Sequence, residues 1–81
     1  MRDIYADLRD KKEFKANSIT AFEFGYIYVV LSYTKVIFRY DLLNNKVTYF
    51  DNTKYSKTTS KLQNMLKELY RKELNDLQEL N

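Results

Sequence analysis

Residues 19–33 read ITAFEFGYIYVVLSY, and the way this run alternates decides the fold. In 19–24, Thr20, Phe22 and Phe24 alternate with Ile19, Ala21 and Glu23, the two-residue period of a strand. Gly25, the only glycine, follows where a reversal needing positive φ would use it. Residues 26–33 are β-branched and aromatic on both alternations, which predicts a central strand covered on both faces. C-terminal to this pair, KVIFRYD (35–41) sets Val36, Phe38 and Tyr40 against Lys35, Ile37, Arg39 and Asp41, so the first set is expected to face the core. Asn44 and Asn45 tolerate left-handed backbone and predict a hairpin into KVTYFD (46–51). The expectation is a four-stranded antiparallel meander over 19–51.

The period changes on either side of this sheet. Asp3 is a good N-cap, and Ile4 and Leu8 lie four apart, which predicts a short helix over 4–13. After Ser60, Leu62, Met65, Leu66, Leu69, Tyr70, Leu74, Leu77 and Leu80 recur at spacings of three and four, which predicts a long amphipathic helix over 60–80. At 1.5 Å per residue that helix would run roughly 30 Å, while a strand of six or seven residues covers about 20 Å. An overhang results. The fold class is α+β, a single domain over 1–81, with a short N-terminal helix, the meander and a long C-terminal helix.

Composition narrows the chemistry. The chain has 81 residues with no Cys and no His, so a disulfide framework, a thiolate nucleophile, a Ser-His triad and the usual zinc site are excluded. No cofactor is expected. Carboxylates such as Asp7 and Asp10 lie in a charge-mixed helical surface and carry no general acid–base signature. Eight Tyr and five Phe supply contact area suited to cores and interfaces, which favours a binding protein over an enzyme. Neither an apolar run of membrane-spanning length nor a signal peptide pattern occurs, and the chain reads as a soluble, cytoplasmic protein.

The net charge of +3 is unevenly placed. Lys54, Lys57, Lys61 and Lys67 occupy a stretch without acids, and YSKTTSK (55–61) falls within it. Thr59 or Ser60 is the expected N-cap of the long helix, with Ser60 and Gln63 forming a capping box. Lysines are mildly unfavourable at a helix N-terminus, which carries partial positive charge. Three readings stay open: Lys54, Lys57, Thr58, Thr59, Ser60 and Lys61 bind an anion or acidic partner, two helices pair antiparallel, or the lysines are simply solvated. The second reading makes a homo-oligomer through Leu66, Tyr70, Leu74, Leu77 and Leu80, a stripe left by the overhang.

The motif Y-S-x-T-T-S-x-x-Q (Tyr55 to Gln63), preceded by S-Y-x-x-x-I (Ser32, Tyr33, Ile37), resembles a domain family of unknown function in small phage and mobile-element proteins of Gram-positive bacteria. The resemblance covers about 18–63. Thr34 stands where glycine is common, Lys35 where threonine is common, and Leu62 where His is frequent. It implies a phage-like origin, no catalytic residues and, as the leading expectation, a stoichiometric inhibitor of a host defence protein such as a CRISPR or restriction nuclease, acting in the host cytoplasm. The alternatives are a nucleic-acid binder, with Arg39, Lys54, Lys57 and Lys61 on phosphates and Tyr side chains stacking on bases, and a structural or assembly protein.

Overall fold

The computed structural model describes residues 3–79, with side chains through Leu77. Its elements are α1 (Ile4–Arg9), β1 (Phe14–Ala16), β2 (Ile19–Phe24), β3 (Ile27–Ser32), β4 (Lys35–Asp41), β5 (Lys46–Phe50), α2 (Lys57–Leu69) and α3 (Arg71–Glu79). The strands form one antiparallel sheet in the order β1-β2-β3-β4-β5. The α+β class and the meander are as expected, but there are five strands rather than four, and two C-terminal helices rather than one.

Each difference has a local cause. Asp3 caps α1 as expected, its carboxylate accepting from the Ala6 N–H at 3.1 Å. The helix stops at Arg9 instead of Glu13 because Lys11 adopts φ 56°, and the chain it redirects pairs Phe14–Ala16 with Ile19–Ala21. A three-residue strand is too short to show a period. Each of the four hairpins holds one left-handed residue: Asn17, Gly25, Tyr33 and Asn45. Tyr33 is the unusual one, since a bulky side chain there is strained. Its N–H donates to the Ser18 carbonyl at 2.6 Å, tying this turn to the neighbouring hairpin.

One face of the sheet carries the core. Phe14, Ile19, Ala21, Tyr28, Val30, Phe38, Tyr40 and Val47 pack there against Leu8 of α1, Leu62 and Leu66 of α2, Tyr70 and Leu74. Val36 was expected among them and is not. A β-bulge pairs Val30 with Phe38 but Leu31 with Val36, so Ile37 is the extra residue and is buried in place of Val36. A second bulge falls at Thr48, between the pairs Arg39–Tyr49 and Tyr40–Val47.

The long helix breaks at Tyr70 (φ −120°, ψ 32°). An unbroken helix over 57–79 would extend roughly 35 Å, well past the strands. The bend removes the overhang by returning Leu74 and Leu77 to the core beside Phe50. Tyr70 anchors it, with its ring 4.8 Å from Phe38 and 5.4 Å from Tyr40, and its hydroxyl donating to the Leu8 carbonyl. Tyr28 likewise donates to the Lys12 carbonyl at 2.8 Å, so two buried hydroxyls hold the N-terminal segment. Burial pushes the pKa of both phenols up.

Candidate functional site

The hydroxyl run at the start of α2 is committed to the fold. Ser56, not Thr59 or Ser60, is the N-cap, accepting from the Thr59 N–H at 3.2 Å. Thr59 is 1% exposed, and its hydroxyl lies 2.7 Å from Ser32 Oγ and 3.2 Å from Ser56 Oγ. The expected capping box is absent, because Gln63 turns away and donates from Nε2 to the carbonyls of Asp51 (2.7 Å) and Thr53 (3.0 Å). Gln63 thereby clamps the β5–α2 connection onto the helix. Tyr55 donates to Asp51 at 2.5 Å, which holds that carboxyl below its ordinary pKa, and Lys35 stands 5.8 Å over the Tyr55 ring.

The two halves of the sequence motif therefore meet. Ser32, Tyr33, Tyr55, Ser56 and Thr59 surround one small recess with Lys35. The hydroxyls of Ser32, Ser56, Thr59 and Tyr55 are used internally, and among the described residues no buried side-chain N or O lacks a partner. Thr59 cannot serve the anion site expected of it, since its hydroxyl is buried and shared. Lys54, Lys57, Thr58 and Lys61 are exposed and Ser60 is half-buried, but the six do not converge. Thr58 and Lys61 line a different groove, with Asp3, Ile4, Tyr5 and Asn17.

The expected oligomer stripe is also largely spent. Leu66, Tyr70 and Leu74 are buried within the chain, and Leu77 is half-buried against the same core. The bend at Tyr70 supplies the intramolecular partners that a straight helix would lack. Leu80 lies outside the described residues.

What remains uncovered is the second face of the sheet. Strand alternation places Phe22, Ile27, Val29, Leu31, Val36 and Tyr49 opposite the core, and none of them belongs to the core cluster. Register sets them in rows: Phe22, Val29, Arg39 and Tyr49 pair successively across β2 to β5, and Leu31 links Thr20 to Val36. Val29 is 8% exposed even with nothing above it, shielded by its neighbours, while Tyr49 is 38% and Phe24, at the rim, 77% exposed. The Arg39 guanidinium lies 5.1 Å from the Tyr49 ring centroid. β3 is thus covered on one side only. Its double alternation signalled two apolar faces correctly, but a sequence does not say whether the second face is covered by its own chain or by another. Of the sheet tyrosines, Tyr28 and Tyr40 fill the core, whereas Tyr26 and Tyr49 are exposed.

Among the described residues no cluster of three or more Asp and Glu could hold a metal ion, and no helix is long and apolar enough to cross a membrane. No family model matches the chain, and neither a curated protein nor a solved structure matches it.

Proposed function

We propose that the protein is a non-enzymatic binding module that docks on another protein through the uncovered sheet face, and that it acts as a stoichiometric inhibitor of a host defence protein. The observation that carries the first part is the apolar row Phe22–Val29–Arg39–Tyr49 on a face no element of the chain covers. Large apolar side chains around an Arg and a Tyr, with few other charges, are the composition of an interface centre. The second part rests on the motif resemblance over 18–63, which implies a small phage-like protein, and on the expectation that such a protein without catalytic residues works by occupying a target.

Affinity capture from a bacterial extract, with and without nuclease treatment, tests the reading. The full chain is expected to retain a protein in both conditions, and Phe22→Thr with Leu31→Thr is expected to release it. Threonine keeps strand propensity, so the sheet persists while the face loses its apolar area. Retention that depends on nucleic acid, or that survives the double substitution, would overturn the proposal.

A further inference from the structure

We infer that the partner protein meets this face with a carboxylate set against Arg39, presented by an acidic residue flanked by apolar side chains. The inference rests on the sheet face being the docking surface. Its ground is an asymmetry between the acids and the cations around that face. The carboxylates of Asp41, Asp51 and Glu13 are already engaged. Asp41 accepts from the Leu43 N–H (2.9 Å), the Asn44 N–H (3.1 Å) and Asn44 Nδ2 (2.8 Å), and its pKa is lowered accordingly. Asp51 accepts from the Thr53 N–H (2.9 Å) and the Tyr55 hydroxyl, and Glu13 from the Glu23 N–H (2.8 Å). Lys46 and Lys35 lie close enough to Asp41 and Asp51 to depress those carboxyls further. Arg39 has only the Tyr49 ring, and among the described residues no acid pairs with it.

Arg39 stands between Val29 and Tyr49 in the transverse row, inside the apolar area rather than at its edge. Any protein that seats on Val29 and Leu31 strips water from that guanidinium. A desolvated, unpaired charge opposes binding strongly, whereas a carboxylate can accept two parallel N–H bonds from the fixed fork. The occupant must bring the acid. A second copy set face to face does not supply it, because Asp41 and Asp51 are tied in turns and Glu13 to the Glu23 N–H. A single-stranded nucleic acid would offer phosphate to Arg39, but it needs stacking platforms and a track of cations. Phe22, Phe24 and Tyr49 flank the face, but the centre between them is Ile27, Val29, Leu31 and Val36, which are aliphatic and do not stack.

The test is selection of a displayed random peptide library of about twelve residues on the full chain, run in parallel on Arg39→Gln. The wild type is expected to enrich Asp or Glu between apolar positions. The enriched synthetic peptides should shift the methyl resonances of Val29, Leu31 and Val36, and should bind Arg39→Gln roughly tenfold or more weakly. Replacing the peptide acid with its amide should cost a similar factor on the wild type and little on Arg39→Gln, because the two changes remove one interaction. Arg39→Lys, which keeps the charge but loses the fork, should fall between. Peptides that shift those methyls without an acidic preference, or with one that Arg39→Gln leaves intact, would overturn the carboxylate and leave the docking face standing. Selection of no peptide, or only of peptides that shift other regions, would overturn both. A concentration-dependent dimer abolished by Leu31→Thr, or oligothymidylate binding abolished by Arg39→Gln, would equally overturn the inference by assigning the face to a second copy or to nucleic acid.

Discussion

Ser32 of β3 and Thr59 of α2 share a 2.7 Å hydrogen bond in the buried seam between sheet and helix. Both are about 1% exposed, and either hydroxyl can donate. A pair of this kind fixes one register of helix on sheet, because Ser32 would be left dry and unpaired if the helix slid, while Thr59 would keep only Ser56. Thr59→Val, which keeps the shape, is therefore expected to cost about 1–3 kcal/mol, since it orphans Ser32. Adding Ser32→Ala should recover part of that loss. Urea denaturation of the two single variants and the double closes the cycle, and additive losses would mean the two hydroxyls act independently.

The helix cap gives a sharper contrast. Ser56→Ala is expected to lose about 1 kcal/mol, and Ser60→Ala, inside the helix, close to nothing. The relative shifts of the urea midpoints discriminate the two, and a larger effect at Ser60 would place the helix start four residues later.

Tyr28 and Tyr70 hold the N-terminal segment through their hydroxyls. Tyr28→Phe and Tyr70→Phe keep the rings in the core and remove one hydrogen bond each, for an expected loss of about 1 kcal/mol apiece. Amide exchange should quicken in α1 and the following turn before it does in β3. Uniform quickening across the sheet would show that the hydroxyls stabilise the whole domain rather than that segment.

These two phenols also contribute to the alkaline limit of the fold. Their pKa values are raised in the folded chain, so above the unfolded value of about 10 the unfolded state binds fewer protons than the folded one. Their contribution is fully present below about pH 10 and is lost as pH climbs from there toward the raised values. Urea midpoints should fall above about pH 10, and Tyr28→Phe with Tyr70→Phe should flatten that fall. A slope unchanged by the double substitution would assign the alkaline loss to other groups.

The sheet was legible in the sequence where one alternation dominated: residues 19–24, 35–41 and 46–50 all lie in strands, and the left-handed positions Gly25 and Asn45 fall at turns read from their residue types. The misreadings share a physical origin in tertiary context. The bulge at Ile37 swaps which side chains of β4 face the core, and nothing in KVIFRYD marks it. β1 exists because Phe14–Ala16 can pair with β2, not because three residues have a period. The spacing of Leu66, Tyr70, Leu74 and Leu77 is continuous through the bend, so the periodicity predicts one helix, while the demand to bury Leu74 breaks it. For the candidate site, the basic run drew attention because charges stand out in a sequence. Arg39 stood out only as one more cation for phosphate, since its place among apolar neighbours on β2, β3 and β5 is set by the sheet register.

The short β1 and the bulged β5 bear on the tendency of this chain to polymerise. A sheet with one bare apolar face invites fibril growth, in which new strands add to an open edge and bare faces stack. Here one edge offers three residues, and the other is irregular at Thr48, with α3 packed beside β5. Neither edge is a long flat template for an incoming strand, so ladder extension is blocked at both ends. The exposed face is thereby limited to side-chain contacts, which discriminate by shape and charge, and is kept apart from backbone pairing, which would accept almost any extended chain.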